Sequence, residues 1–114
     1  LLTSEIGEVN YESDWYDYDS KYHSNNKIII PAEIDSKITK EIKEIAIKSC
    51  RALNIFGFAR VDFFLEKSSN KILLNEINTI PGFTKNSMFP MLWEASGLKI
   101  EQLVAKLVDI SLDL

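Results

Sequence analysis

Two carboxylates, an amide and an arginine carry the chemistry this sequence can do. Asp62 and Glu76 lie on two apolar stretches, Phe58 to Glu66 and Lys71 to Asn78. A polar link, Lys67-Ser68-Ser69-Asn70, joins them. That pattern predicts a β-hairpin. Side chains alternate along a strand, so Arg60, Asp62 and Phe64 share one face while Val61, Phe63 and Leu65 share the other. The same rule groups Leu74, Glu76 and Asn78. A turn centred on Ser69 sets Asp62 opposite Glu76, and Arg60 opposite Asn78. Directly opposed Cβ atoms in an antiparallel pair are about 4.5–5.5 Å apart. Two carboxylates at that range repel unless a proton or a cation sits between them. With the Asn78 amide oxygen they form an all-oxygen donor set. With no His or Cys beside it, that set suits Mg²⁺ or Mn²⁺ better than Zn²⁺. Mg²⁺ usually shares its shell with substrate phosphates, and Arg60 offers a fixed charge with bidentate geometry for phosphate. The same charges also suit a plain surface hairpin with an Arg60–Asp62 pair. A one-residue slip in register would send the set to opposite faces.

The rest of the chain must hold that hairpin. Apolar residues at Ile38, Ile42, Ile45, Ala46 and Leu53 recur at helical spacing and predict a helix over Ser36 to Asn54. Asp35 or Ser36 is placed to cap it. Lys40, Glu44 and Lys48 form its outer row, and Gly57 marks a turn. Leu1 to Val9 and Lys27 to Pro31 read as strands. Asn10 to Asn26 reads as a long loop, a length uncommon outside functional or disordered segments. Pro81-Gly82 is a turn signal. Met88 to Ala95 reads as a short helix with Ser87 at its N-cap and Pro90 within its first turn, where a missing N–H costs little. Ile100, Leu103, Val104, Leu107 and Ser111 place a final helix on the same core. The expected fold class is α+β, a mainly antiparallel sheet with helices packed on it.

Composition sets the outer limits. The chain has 114 residues, 46% of them apolar and 26% charged, which is one ordinary folded domain. Its net charge is −4, and no basic patch suggests a nucleic-acid partner. The apolar runs are only a few residues long, against about 20 for a spanning helix, so no membrane partner is expected. The one cysteine, Cys50, allows no internal disulfide and fits a reducing, cytoplasmic setting. Cys50 on a helix face reads as a small core residue. The first residue is Leu1 and no signal segment follows, so the expectation is a dissected domain.

Longer strings narrow this further. RVDFFL (Arg60 to Leu65), NEINTIPGFT (Asn75 to Thr84) and Ser87 together resemble the C-terminal half of the ATP-grasp domain of D-alanine-D-alanine ligases. Tyr16-Asp17-Tyr18-Asp19-Ser20-Lys21-Tyr22 resembles that family's loop over the active site, and Met88-Phe89-Pro90 its closing helices. The likeness runs from about Glu5 to Leu112. It implies one subdomain over 1–114, with an active-site loop at 10–26 and a metal-binding hairpin at 58–78.

The family joins two D-alanines with ATP through an acyl phosphate, making a cell-wall precursor. The resemblance implies that Asp62, Glu76 and Asn78 hold two Mg²⁺ (or Mn²⁺) ions, with Glu76 bridging. Arg60 would contact phosphate and stabilise the tetrahedral intermediate. The Gly82 N–H would help form an oxyanion hole, and the Ser87 hydroxyl would bind the second D-alanine's carboxylate. Lys21 matches a lysine at the phosphate end, and Tyr22 the aromatic beside it. Tyrosine at that place goes with dipeptide formation and histidine with D-lactate ester formation, although His23 is next door.

Further implied partners are D-alanine, ATP, the missing N-terminal part of the same protein, and a second copy of the full-length chain in a homodimer. The fragment alone is expected to be inactive. Plainer roles stand beside each assignment: Pro81-Gly82 as a turn, Ser87 as a helix cap, Lys21 as a solvated loop residue, and Trp15, Tyr16, Tyr18 and Phe83 as packing. Other readings are a D-alanine-D-lactate ligase, another ATP-grasp carboxylate-amine ligase, and a non-catalytic module docking a basic partner through its acidic first 20 residues.

Overall fold

The computed structural model describes residues 1–10 and 27–113. In chain order the elements are β1 (Glu8–Asn10), β2 (Lys27–Ile29), α1 (Ser36–Ala52), β3 (Arg60–Glu66), β4 (Lys71–Asn78), α2 (Met88–Ala95) and α3 (Ile100–Leu112). The expected α+β class holds. All strand pairing is antiparallel and falls into two separate two-stranded sheets, β1-β2 and β3-β4. The strands expected at Leu1 to Val9 and Lys27 to Pro31 contract to three residues each, pairing Glu8 with Ile29, Val9 with Ile28 and Asn10 with Lys27. Ala32 N–H extends the ribbon by donating to the Ile6 carbonyl at 2.8 Å.

Two-stranded ribbons are marginal alone, so each leans on a helix or an aromatic cluster. The segment before β1 lies against α2. Gly7 is there because a Cβ would stand 2.7 Å from Leu92 Cδ2 and 2.9 Å from Met88 Cε. Ser96 Oγ accepts from the Glu5 N–H at 2.8 Å and fixes the same contact at the far end of α2.

Helix α1 follows its periodicity, with Ile38 and Ile42 buried one turn apart. Asp35 occupies the N-cap position but makes no side-chain capping bond. The helix ends at Ala52, just short of the expected Asn54. Asn54 takes a left-handed φ of 52°, and the Ile55 N–H closes back on the Cys50 carbonyl at 3.0 Å. Asn tolerates that conformation through its short polar side chain. Gly57, at φ 84°, makes a second bend before β3.

The remaining core is built from Phe89 and Leu103, both buried. Phe58, Phe83 and Phe89 form a three-ring cluster with centroids 5.4 to 6.2 Å apart. Rings at this spacing add about 0.5–1.5 kcal/mol per pair beyond area burial. Helices α2 and α3 are joined by a tight link. Gly97 takes φ 95°, and the Leu98 N–H donates to the Trp93 carbonyl at 2.9 Å.

Candidate functional site

The hairpin sets the first group of candidate residues. Its loop is four residues, Lys67 to Asn70, between the paired Glu66 and Lys71. Asn70 takes a left-handed φ of 57°, which brings the chain back into a right-twisted pair. From the loop up to Phe63↔Leu74 the register follows that turn. It then shifts by one residue between Asp62 and Phe63, a β-bulge on β4. Beyond the shift Asp62 pairs with Glu76, Val61 with Ile77, and Arg60 with Asn78. These are the oppositions a turn centred on Ser69 predicts.

The bulge corrects one expectation. Leu74 pairs with Phe63, so it lies on the face opposite Glu76 and Asn78. A bulge inserts one extra residue on one strand, and here that residue is Asn75. The outward face therefore reads Arg60, Asp62 and Phe64 on β3, beside Leu73, Glu76 and Asn78 on β4. On this face Phe64 and Leu73 are 56% and 43% exposed, and on the other Leu74 is 45% exposed, so the hairpin is open on both sides near its loop.

A cation already lies between the two carboxylates. Arg60 Nε donates to Asp62 Oδ1 at 2.8 Å and Nη2 donates to Oδ2 at 2.9 Å, a bidentate pair. The same Nη2 stands 3.9 Å from Glu76 Oε1. Opposed carboxylates need a positive partner, and the guanidinium supplies it. The side chains of Arg60, Asp62 and Glu76 are 26%, 29% and 57% exposed, so the Arg60–Asp62 pair contributes only about 0–1 kcal/mol.

Asn78 Oδ1 accepts from the Ile80 N–H at 3.1 Å and has a second lone pair left. Among the described residues no group of three or more His, Cys, Asp or Glu side chains converges. The donor set here is two carboxylates and an amide. Such a hard, all-oxygen set fits Mg²⁺ or Mn²⁺ completed by water and phosphate oxygens.

A second group lies where β4 runs into α2. Gly82 follows buried Pro81, and a Cβ built on Gly82 would stand 3.1 Å from Ser87 Oγ. Backbone and hydroxyl therefore adjoin with no side chain between them. Ser87 holds the N-cap position of α2, yet its side chain makes no bond into the helix. It turns the other way: Ser87 Oγ accepts from the Thr84 N–H at 3.0 Å and lies 2.7 Å from Thr84 Oγ1. The capping expectation holds for position and fails for the hydrogen bond.

The ring cluster links the two groups. Phe58 lies two residues before Arg60, Phe83 follows Gly82, and Phe89 lies two residues after Ser87. Phe83 is thus a packing residue, and its packing holds the turn that carries Gly82.

Lys21 and Tyr22, with Trp15, Tyr16, Tyr18 and His23, lie outside the described residues. Sequence reasoning missed one contact. Lys67 Nζ, on the hairpin loop, reaches Glu8 Oε2 on β1 at 3.4 Å. The other oxygen, Glu8 Oε1, is closed to solvent and makes no hydrogen bond among the described residues. Nothing local signals a pair 59 residues apart. On α1, Cys50 is half-buried rather than part of the core, and that burial pushes its thiol above its ordinary pKa.

Comparison with known proteins agrees with this architecture. A D-alanine-D-alanine ligase of Prochlorococcus marinus (strain MIT 9301) is 98% identical over 114 residues, which are all of this chain and 32% of that protein. Another, from strain NATL1A, is 53% identical over 112 residues, 97% of this chain and 32% of that protein. The chain thus spans about a third of the curated relatives it matches. Among solved structures, the VanG D-Ala:D-Ser ligase of Enterococcus faecalis superposes with a TM-score of 0.81 at 38% identity, covering 96% of this chain and 32% of that one. The D-alanine-D-alanine ligase of Coxiella burnetii gives a TM-score of 0.73 at 44% identity, over 76% of this chain and 25% of that one. The family model for the D-Ala-D-Ala ligase C-terminus matches residues 1–109, and the chain belongs to that family.

Proposed function

We propose that this chain is the metal- and phosphate-handling portion of an ATP-dependent ligase that joins two D-alanines through an acyl phosphate. One observation carries the reading: Asp62 and Glu76 are directly opposed on an open sheet face, with the Arg60 guanidinium between them. Asp62, Glu76 and Asn78 would hold two Mg²⁺ or Mn²⁺ ions. Bound there, the ions neutralise charge on the β- and γ-phosphates of ATP during phosphoryl transfer.

The chain's own groups do the rest. Arg60 would pair with a phosphate oxygen in its bidentate geometry. It then faces the negative charge that develops on the transferred group and on the tetrahedral carbon. The Gly82 N–H adds a fixed donor for that charge, effective because it needs no reorganisation. Ser87 holds the carboxylate of the second D-alanine, beside the N-terminus of α2, whose dipole favours an anion.

Farther along the same face, Phe64 and Leu73 give an apolar floor next to the charged end. That order suits a ligand with phosphates at one end and a flat base at the other. Lys21 and Tyr22 take the phosphate-end and neighbouring aromatic roles by resemblance. The remaining two-thirds of the protein would bind the first D-alanine, adenine and ribose. The product places the enzyme in peptidoglycan precursor synthesis in the cytoplasm.

The test is product formation by the intact protein from D-alanine and Mg-ATP, with D-serine and D-lactate as competing acceptors. We expect D-alanyl-D-alanine and equimolar phosphate, with D-alanine preferred at neutral pH. Parent-level turnover in Glu76→Gln, or no ATP-dependent product, would overturn the proposal.

A further inference from the structure

We propose that Thr84 is a positioning residue that fixes the Ser87 hydroxyl as a hydrogen-bond donor toward the carboxylate of the second substrate. This rests on the reading of Ser87 given above and adds a residue to it. A serine hydroxyl has one proton and two lone pairs. The Thr84 N–H already fills one lone pair of Ser87 Oγ at 3.0 Å. The Thr84 and Ser87 hydroxyl oxygens are 2.7 Å apart and share one proton.

Two arrangements are open to that shared proton. If Thr84 Oγ1 donates, both lone pairs of Ser87 are taken, and its own proton must point away, toward whatever arrives. Ser87 is then a pure donor and matches a carboxylate. If Ser87 donates to Thr84 instead, it shows a free lone pair outward and matches an ammonium group.

The surroundings select the first arrangement. Ser87 sits at the positive end of α2. The N–H groups of Met88 and Phe89 make no hydrogen bond among the described residues, and Pro90 has none to offer. An anion is therefore the ligand this corner attracts, and it needs a donor from Ser87. Gly82 leaves the approach clear, since a Cβ there would lie 3.1 Å from Ser87 Oγ. Thr84 is exposed and packs no core, so its hydroxyl can be removed without disturbing the fold.

The experiment uses the intact protein with D-alanine and Mg-ATP, in Thr84→Val, Thr84→Ala, Thr84→Ser and Ser87→Ala. Loss of one hydrogen bond predicts a KM for the second D-alanine raised about three- to tenfold in Thr84→Val and Thr84→Ala. The KM for ATP should be unchanged, and kcat should stay within about twofold by the same reasoning. Thr84→Ser, which keeps the hydroxyl, should return the KM to the parent value. In a Ser87→Ala background, Thr84→Val should add nothing, because both act through one group. An unchanged D-alanine KM in both Thr84→Val and Thr84→Ala, with a raised KM in Ser87→Ala, overturns this proposal and leaves the reading of Ser87 standing. An unchanged KM in Ser87→Ala overturns both. A parallel rise in the KM for ATP, or failure of Thr84→Ser to restore binding, also overturns the positioning role.

Discussion

Replacing Gly7 with alanine asks whether the chain before β1 is locked against the helix that carries Ser87. An added Cβ would lie 2.7 Å from Leu92 Cδ2, 2.9 Å from Met88 Cε and 3.3 Å from Ile30 Cγ1. The first two are closer than real Cβ contacts, so side chains of α2 must move. Overpacking of this kind costs about 1–3 kcal/mol. The backbone of Gly7 is not left-handed, so alanine brings no strain there and gains about 0.4–1 kcal/mol by restricting the unfolded chain. The net expectation is a loss of up to about 2.6 kcal/mol, read as a lower denaturant midpoint at unchanged slope for the intact protein. Leu92→Ala removes the clashing methyl, so the double variant should be more stable than the sum of the two single losses, by about 1 kcal/mol or more. A stabilising Gly7→Ala, or strict additivity in the double variant, would refute the packing described for β1 and α2.

Cys50 should alkylate more slowly than an unfolded-chain thiol around neutral pH. Burial raises its pKa, and only the thiolate reacts. The gap should close as pH climbs above the folded pKa, and stability should fall as pH rises from the unfolded-chain pKa through the folded one, since the unfolded state gives up that proton more readily. Iodoacetamide rates against pH, with and without urea, check this; equal rates would contradict it. The Glu8–Lys67 pair makes an unequal prediction. Lys67 is 71% exposed, so Lys67→Ala should cost under about 1 kcal/mol. Glu8 carries a solvent-inaccessible oxygen with no partner among the described residues, so Glu8→Met should leave stability level or raise it. A loss above about 2 kcal/mol in Glu8→Met would show that the carboxylate is needed.

Much of this could be read from residue types. The helical spacing of Ile38 and Ile42, the apolar strands around a polar link, and Pro81-Gly82 before a short helix each report a local preference that packing then kept. The opposition of Asp62 and Glu76 was legible too, but through two compensating features. The four-residue loop offsets the register by one, and the Asn75 bulge restores it. Loop length decides the first, and nothing in Asn75-Glu76 announces the second. That is why Leu74 was assigned to the wrong face.

Asn54 turns the chain just past α1 because a left-handed asparagine costs little, a conformation that composition alone does not announce. Ser87 was correctly placed at the head of α2, but its hydroxyl had two possible partners, and only the fold brings Thr84 back onto it. The link from the hairpin loop to Glu8 joins residues far apart in sequence, and local patterns carry no trace of it.

The central claim is that Asp62, Glu76 and Asn78 face one another as a single site for divalent cations. The direct measurement is Mn²⁺ binding to the intact protein, followed by electron paramagnetic resonance, in Asp62→Asn, Glu76→Gln and Glu66→Gln. Glu66 lies on the same hairpin at the loop end, and its carboxylate accepts from the Ser68 and Ser69 hydroxyls. The account predicts affinity weakened at least about 10–100-fold in the first two variants and unchanged in the third. Equal affinity in all three and the parent would contradict it.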